Sequence, residues 1–324
     1  MNAKLYPLKF EPILKERLWG GTKLGTQLQK AISSDITGES WELSGVEGDV
    51  SVVSNGPLKG TSLTSIIEQH AEELLGVSVV ARFGKEFPIL IKFIDAKQDL
   101  SIQLHPNDDL AKKRHNSFGK TEMWYIMDAD KEANLIVGFN QDVTRELYAK
   151  SLEENTLLEL LNYEHVSKGD TFFINTGKIH AIGAGVLLAE IQQTSDITYR
   201  VFDFNRRDKE GNLRELHTEL ALDAIDYTRK DDFKVSYPTA VGEVNPMVQC
   251  PYFTTNFLKL ENDFIQDTAD RDSFTIYMCV EGMAEVANEN GTATLRKGET
   301  ALLPAQSSSI SIKTAGATLL EITI

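Results

Sequence analysis

The sequence has little cysteine, no long apolar run and comparatively little positive charge. Its 324 residues include only two cysteines, Cys250 and Cys279. A chain of this length has enough core without a disulfide, so we expect two reduced, buried thiols in a cytoplasmic protein. No run of about 18 apolar residues occurs, and charges are spread through residues 1–21. We therefore expect neither a membrane-spanning helix nor a signal peptide, and no membrane partner.

Positive charge is scarce relative to negative charge. Lys and Arg total 33 against 48 Asp and Glu, which gives a net charge of −15. Because such a surface repels a phosphate backbone, nucleic-acid binding is excluded as the main function. A small anionic substrate remains possible, since a pocket can concentrate a few cations. Hydrophobic residues at 41% and charged residues at 25% are typical of a globular chain.

Short apolar runs bounded by Gly, Asn, Asp or Pro dominate the chain, as expected for strands joined by turns. Such runs occupy residues 87–96, 121–129, 134–139, 170–177 and 185–194, and they recur from 252 to the end. Asn290-Gly291 is typical of a hairpin turn. Helical spacing is confined to residues 61–75, 141–163 and 217–226. The pattern predicts a mainly β sandwich or barrel with a few helices, and a linker near 231–246.

Two stretches of the chain resemble each other. Residues 167–192 read SKGDTFFINTGKIHAIGAGVLLAEIQ, and residues 296–323 read RKGETALLPAQSSSISIKTAGATLLEIT. Both open with Lys-Gly-acid-Thr and close with Gly-x-x-x-x-Glu-Ile, which suggests a duplicated β unit. The eleventh residue after the first Gly is His180 in one copy and Ser309 in the other. Any chemistry that depends on His180 would then belong to the N-terminal unit, unless the two hairpins are alike by chance.

The residues most suited to metal binding lie in three separate segments. Gln103 and His105 are two apart in SIQLHPNDDL and share one face of a strand. Glu122 opens the next strand, and His180 follows the loop after DTFFINTGK. Two imidazoles, a carboxylate and an amide oxygen suit a divalent ion, and zinc fits with a coordination position left open for chemistry. Taken alone, Gln-x-His is more simply a histidine at the rim of a sheet.

Further polar residues surround this candidate site in the sequence. Glu190 follows His180 on the next strand, and Arg200 lies within the apolar run TYRVFDF. Arg200 either pairs with Asp196 or Asp203 to hold the fold, or stabilises an anion beside the metal. The remaining candidates are Lys120 and the segment LWGG, which includes Trp19. The other histidines are less suited to metal binding. We expect His70 on the apolar face of the 61–75 helix, His115 in contact with solvent, and His165 and His217 at helix ends.

Six motifs in this order resemble the type I mannose-6-phosphate isomerases (phosphomannose isomerases) in their short bacterial form. They are LWGG (18–21), GESWELS (38–44), SIQLHPND (101–108), GKTEMWYI (119–126), GKIHAIGAG (177–185) and QTSDITYRVFDF (193–204). The chain departs from long members in having no room for their inserted helical domain. It also reads Phe118-Gly119-Lys120 where they read Asn-His-Lys.

The resemblance implies two cupin-type (jelly-roll) β barrels, a catalytic domain at 1–235 with inserted helices and a smaller domain at 240–324 without a metal site. It implies one Zn²⁺ per chain and interconversion of mannose 6-phosphate and fructose 6-phosphate through an enediol. The implied roles are metal ligation by Gln103, His105, Glu122 and His180, catalysis by Arg200, and substrate binding by Lys120, Glu190 and Trp19.

Two other functions remain open from the sequence. A non-enzymatic metal- and sugar-binding cupin would keep the metal and lose the chemistry; Lys120 and Arg200, two cations beside the ligands in an acidic chain, favour the enzyme. A cupin dioxygenase would favour iron, and the amide ligand together with the sugar-phosphate motifs speaks against it.

Overall fold

The computed structural model describes residues 4–208, 210–231 and 233–324. As predicted, the chain is mainly β. The strands of its first two thirds are β1 (Ile13–Gly21), β2 (Thr37–Leu43), β3 (Ile89–Ala96), β4 (Ile102–Leu104), β5 (Glu122–Ala129), β6 (Asn134–Phe139), β7 (Leu161–His165), β8 (Thr171–Ile174), β9 (His180–Ile182), β10 (Val186–Gln193) and β11 (Tyr199–Phe202). Every run read as a strand between 87 and 194 therefore contains one.

The helices are short and lie between the strands. They are α1 (Lys23–Thr26), α2 (Leu63–Leu75), α3 (Val77–Phe83), α4 (Asp108–His115), α5 (Arg145–Glu153) and α6 (Thr218–Leu222), with a 3-10 turn at Leu157–Leu160. Each of the three predicted helical stretches contains one of them. Among the described residues, no helix has the length and apolar character needed to cross a membrane.

Helix α2 shows why its sequence is helical and where its backbone departs from a regular helix. Ser62 caps it by accepting a hydrogen bond from the Ser65 amide, and Ile66 and Leu74 bury its apolar face. His70 was expected on that face, but it is only half-buried. Its backbone has φ −141° and ψ 41°, so the helix kinks there and its side chain leaves the apolar stripe.

Two antiparallel sheets form the first part of the chain. The first has the strand order β1-β2-β3-β10-β5-β8, and the second has the order β11-β4-β9-β6-β7. Side-chain alternation divides β3 between two cores, since Ile91 and Phe93 pack in one apolar cluster and Ile94 in another. Lys92 shares the Ile94 face, which is the face that borders the candidate site.

The last third forms one further sheet. Its strands are β12 (Asn245–Gln249), β13 (Thr254–Leu260), β14 (Phe264–Asp267), β15 (Thr275–Asn288), β16 (Gly291–Arg296), β17 (Thr300–Leu303), β18 (Ser309–Lys313) and β19 (Ala317–Thr323). The predicted Asn290-Gly291 hairpin joins β15 to β16, with Asn288 paired to Gly291. The stretch read as a linker leads into β12.

Strand β15 is longer than its sequence suggested. Two apolar runs separated by Glu281-Gly282 are one continuous strand of 14 residues. Gly282 makes this possible, because it has φ +74° and a Cβ there would lie 2.1 Å from the Gly316 carbonyl oxygen. The strand bends at Gly282 and pairs with β19 before the bend and mainly with β16 and β18 after it.

The N-terminal segment packs against the last sheet. Leu8 and Leu302 exchange backbone hydrogen bonds of 2.8 and 2.9 Å. One apolar cluster accordingly contains Leu5 and Phe10 together with Ile276 and Leu320. The division into 1–235 and 240–324 stays a prediction. Both cysteines are free; Cys279 is buried as expected, whereas Cys250 is only half-buried.

The repeated stretches have the same local structure. The first contains β8, β9 and β10, and the second contains β17, β18 and β19. His180 is the first residue of β9, and Ser309 is the first residue of β18. The two copies therefore place these two residues at equivalent points.

Candidate active site

The candidate ligands come from both N-terminal sheets. In the second sheet, Gln103 of β4 pairs with His180 at the start of β9, and His105 follows β4 directly. In the first sheet, Glu122 is the first residue of β5. The carboxylate thus reaches the two imidazoles from a different sheet, which no pattern within one strand could show.

Three of the four predicted ligands form a close, buried group. The Nε2 atom of His105 lies 3.5 Å from one Glu122 oxygen, and the Nε2 atom of His180 lies 3.5 Å from the other. All three candidate ligand atoms lie within 4.8 Å of one another, so the group could hold a metal ion. Gln103 lies beside the group: its amide oxygen accepts a 3.4 Å hydrogen bond from Ser101, and it lines the same cavity as His180.

The hydrogen bonding of the two imidazoles leaves one nitrogen of each available. The Nδ1 atom of His105 is 2.8 Å from the Ile197 carbonyl oxygen, and that of His180 is 2.8 Å from the Lys178 carbonyl oxygen. A carbonyl only accepts, so Nδ1 carries the proton and Nε2 presents its lone pair. Both Nε2 atoms and both Glu122 oxygens are buried without a hydrogen-bond partner. Buried orphan atoms are costly, and a metal ion would satisfy all four.

Burial also sets the protonation of this group. It lowers the pKa of His180 to about 3, and with the nearby Lys120 charge it lowers the pKa of His105 well below its ordinary value. Both imidazoles are therefore neutral, as metal ligands must be. Burial raises the pKa of Glu122 to about 7, against the opposing effect of Lys120. The Lys120 ammonium lies 3.3 Å from Glu122.

A second buried charge pair lies on the adjoining strands. Glu190 of β10 forms an ion pair of 3.1 Å with Lys92 of β3 and accepts a 3.0 Å hydrogen bond from the Trp124 indole. Burial opposes ionisation of Glu190, but Lys92 and Lys120 more than offset it, so the pKa of this carboxyl is lowered. Lys92 also lies 5.0 Å from the centre of the Trp41 ring.

Arg200 lies on β11, opposite Gln103 of β4. Its guanidinium donates to the Ser101 hydroxyl at 3.3 Å and to the Glu215 carbonyl at 2.9 Å. The expected structural alternative, an ion pair with Asp196 or Asp203, is absent among the described residues. Asp203 is instead bonded by Arg206 and Arg214. Burial and the neighbouring Arg214 charge lower the pKa of Arg200.

A cavity of about 440 Å³ adjoins these groups. Trp19, Lys120, Glu190 and Arg200 all line it. Its remaining wall consists of Arg17, Glu39, Trp41, Lys92, Ile94, Leu100, Ser101, Gln103, Trp124, His180, Ile182, Asp196, Thr198 and Arg214. Five of the lining residues are Arg or Lys and three are Asp or Glu, so the wall carries excess positive charge in a chain of net charge −15. This local excess suits an anionic substrate.

Sequence reasoning missed part of this wall, namely Arg17, Glu39, Lys92 and Arg214. A signal for Lys92 was available, since it is the one charged residue within the apolar run FPILIKFI. Arg17 gave no such signal, because it lies on the half-exposed strand β1, where charged residues are ordinary. Glu39 lies on the mostly buried strand β2, but the surrounding sequence TGESWEL is polar enough that one Glu does not stand out.

The other histidines lie outside the ligand group. His115 is bonded to the Tyr199 hydroxyl at 2.9 Å, and His217 precedes α6, as expected for a helix end. His165 was also expected at a helix end, but it ends β7 instead. His70 lines a separate cavity with Lys4 and Glu73.

Comparisons with known proteins agree with the mainly β fold and show the family. Residues 7–141 match the family profile for the phosphomannose isomerase type I catalytic domain, and residues 243–321 match that for the mannose-6-phosphate isomerase cupin domain. The mannose-6-phosphate isomerase ManA of Bacillus subtilis is 36% identical over 92% of this chain and 93% of its own length. That of Streptococcus mutans is 33% identical over 92% of each.

A solved structure of a relative has the same fold over nearly the whole chain. The mannose 6-phosphate isomerase from Bacillus subtilis superposes with a TM-score of 0.89 and 32% identity, covering 99% of this chain and all of the other. These relatives make an isomerase the function of this fold and site, in preference to a non-enzymatic cupin or a dioxygenase. From its sequence, its β architecture and its buried His–Glu–His group, this chain belongs to the type I mannose-6-phosphate isomerase family and is an isomerase.

Proposed function

We propose that this isomerase interconverts mannose 6-phosphate and fructose 6-phosphate with one Zn²⁺ held by His105, Glu122, His180 and Gln103. The observation that carries the proposal is the set of four buried ligand atoms on the first three residues, none of which has a hydrogen-bond partner among the described residues. They lie beside a cavity with excess positive charge, which suits a sugar phosphate. Neutral imidazole and carboxylate ligands without cysteine suit a catalytic zinc with an open position.

The reaction moves a carbonyl between C1 and C2 of the open-chain sugar through an enediol. When bound, the metal would act as a Lewis acid that polarises the carbonyl and favours negative charge on the substrate oxygens. Arg200 would stabilise the same developing charge, because its guanidinium lines the cavity and has no acidic partner among the described residues. Lys120, which is buried in the segment that leads into β5, would supply a second positive charge.

A proton must also be carried between C1 and C2, and the wall offers Glu190 and Lys120 for this. Both are buried and both line the cavity. Glu190 is held by Lys92 and Trp124, which fixes its carboxylate in place. Trp19, buried on β1, would bound the substrate by apolar contact. For the phosphate, the cavity wall offers the Arg214 guanidinium, which also donates to Asp203.

The resemblance to this family also suggests how the sheets are arranged into barrels. We propose that the two N-terminal sheets are the walls of one catalytic cupin barrel, within residues 1–235. Residues 240–324 would form a second, smaller cupin-type barrel with no metal site, since Ser309 stands where the first copy has His180. Two free cysteines favour a reducing, cytoplasmic location.

The experiment is metal removal with two readouts. The purified enzyme is dialysed against a chelator, its zinc content is measured, and conversion of mannose 6-phosphate is followed in a coupled assay. We expect activity to be lost with the metal and restored by zinc. Unphosphorylated mannose serves as the comparison substrate and should be turned over far more slowly. Full activity in metal-free protein would refute the metal assignment, and equal turnover of mannose would refute the role of the cationic wall.

A further inference from the structure

The turn between β12 and β13 reaches from the C-terminal part of the chain to the edge of the active site. The Cys250 amide donates to the Phe253 carbonyl at 3.0 Å, which closes the turn, and Tyr252 within it is half-buried. The Tyr252 hydroxyl donates to a carboxylate oxygen of Asp108 at 2.5 Å. Arg82 of α3 holds the turn by donating to the Pro251 carbonyl, and its guanidinium lies 5.8 Å from the centre of the Tyr252 ring.

The other Asp108 oxygen holds the segment that leads to Glu122. It accepts hydrogen bonds from the Gly119 amide at 2.8 Å and from the Gln193 side-chain amide at 3.1 Å. Gln193 in turn accepts from the Thr121 amide at 2.8 Å through its own side-chain oxygen. The backbone is therefore fixed at Gly119 and at Thr121, on both sides of Lys120 and up to the residue before Glu122.

Asp108 thereby joins two ligand-bearing segments, since it also begins α4, three residues after His105. The packing at this junction is close. A Cβ at position 119 would lie 2.8 Å from the Asp108 amide nitrogen, so Gly is required for the two segments to approach. Long members of the family read His there, so in this chain the backbone approaches where a side chain would otherwise stand.

Electrostatics keep the Tyr252–Asp108 bond in one form. Burial and the adjacent Asp108 charge raise the pKa of Tyr252 to about 12, so the phenol stays protonated. Burial opposes ionisation of Asp108, but its bonds from Tyr252, Gly119 and Gln193 lower its pKa below the ordinary value. A neutral donor to an ionised carboxylate is a strong type of hydrogen bond in proteins.

We propose that Tyr252 is a positioning residue for the isomerase reaction, supplied by the C-terminal part of the chain. It holds Asp108, and through Asp108 it holds the Gly119–Glu122 segment that carries Lys120 and the Glu122 carboxylate. The inference rests on the proposed roles of Lys120 and Glu122. The C-terminal part would thus contribute to the site through Asp108, although it has Ser309 where the first repeat has an imidazole.

The test compares Tyr252→Phe with a matched control, Tyr237→Phe. Tyr237 donates its hydroxyl to a backbone carbonyl, that of Gly169 at 2.6 Å, and among the described residues it has no hydrogen bond to Asp108 or to the Gly119–Glu122 segment. We expect Tyr252→Phe to lower kcat about 3- to 10-fold with KM within about twofold, because outer partners of a metal site typically cost 10- to 100-fold and this one is a step further out. Zinc release to a chelator should be faster by a similar factor. The control should leave all three quantities unchanged.

A second readout does not depend on metal or turnover. Hydrogen exchange of the backbone amides at 117–123, measured on the metal-free chain, should be faster in Tyr252→Phe and in Asp108→Asn than in the wild type or the control. Asp108→Asn should lower kcat about tenfold, and Tyr252→Phe should add little to it, since both act through one carboxylate. If wild-type turnover proved independent of zinc, the proposed function would fail while the exchange measurement would still decide the role of Tyr252.

Two results would overturn the proposal. One is a Tyr252→Phe enzyme with wild-type kcat and wild-type exchange at 117–123. The other is a loss of thermal stability shared equally with Tyr237→Phe and unaccompanied by any change in kcat, which would make Tyr252 a purely structural contact.

Discussion

Glu39 on β2 provides a quantitative test of the electrostatics of the active-site wall. Arg17 donates to its two carboxylate oxygens at 3.2 and 2.9 Å, and the Trp41 indole donates to it at 2.8 Å. Burial opposes ionisation, but the Lys92 and Arg17 charges prevail and lower the pKa of Glu39 from 4.5 to about 2. The variant Glu39→Gln removes the charge and keeps the shape.

The size and sign of the effect follow from this shift. A depressed carboxyl pKa adds stability that is present above the unfolded value of 4.5 and is lost as the pH falls toward about 2. The full shift corresponds to about 3.4 kcal/mol at about 1.36 kcal/mol per pH unit. Because the Arg17 side chain is 35% exposed, solvent screening reduces this, and we expect about 2 kcal/mol. Over 324 residues that is about 3 °C in Tm at about 2.1 cal/mol/K per residue.

The assay is thermal unfolding of wild type and Glu39→Gln across a pH series from 7 to 3, with the metal content held equal. The gap in Tm should be constant from pH 7 to about 5 and should shrink to about two-fifths of its value at pH 3. The exposed Glu16 on the neighbouring strand gives the control, and Glu16→Gln should show no gap at any pH. A gap for Glu39→Gln that widened toward low pH, or that was absent at pH 7, would refute the reasoning.

The remaining predictions concern the chemistry of the site. Arg200→Ala should keep its fold and zinc but lose about 10²- to 10³-fold in kcat. Arg200→Lys should restore only part of this activity, because a point charge does not replace a forked donor. A folded, zinc-loaded Arg200→Ala variant with wild-type kcat would reject the catalytic role. His105→Ala should lose zinc and activity together, whereas His70→Ala, which changes a separate cavity, should retain both. Metal analysis and coupled assays on the same preparations measure both quantities. Loss of zinc in His70→Ala would make the ligand assignment wrong.

The order of the strands in the sheets could not be predicted from the sequence, although many of the strands could. Alternation and turn residues located the strands predicted between 87 and 194 and most of those after 252, because they reflect local backbone geometry and burial. Strands β1 and β12 were not predicted, and β7 overlaps the stretch 141–163 that was predicted to be helical. Strand β10 pairs with β3 and β5, which precede it by many residues. Such pairing depends on packing among distant segments, to which no local pattern corresponds. The continuous β15 was missed for the same reason, since its pairing with β16, β18 and β19 carries it through Glu281-Gly282.

The candidate site divides along a similar line. His105, Glu122 and His180 could be singled out because a polar residue on an apolar strand needs a reason to be there. Their convergence could not be deduced, because Glu122 lies on a different sheet from the two imidazoles. The wall residues Arg17 and Glu39 carried no signal at all. Their importance comes from pairing with each other and with Lys92 across β1, β2 and β3, which only the register of the sheet creates.

The duplicated motif helps to separate what the fold needs from what the chemistry needs. Its closing glutamate is Glu190 in the first copy and Glu321 in the second, and both are buried. Glu321 accepts hydrogen bonds from Arg271 at 3.0 Å, from Tyr277 at 3.2 Å and from Asn256 at 2.9 Å. Each copy thus surrounds its buried glutamate with a cation and an aromatic donor, Lys92 and Trp124 in the first case.

A carboxylate and cation that persist where the imidazole has become Ser309 do not require a metal. A buried carboxylate without a partner is costly, so folding by itself is a sufficient reason for the cation in each copy. The pair at Glu190 therefore belongs first to the common frame of the repeat. What distinguishes the first copy is that His180, at the start of β9, meets Glu122 and His105 from two other segments, which gives a buried His–Glu–His group that could hold a metal ion.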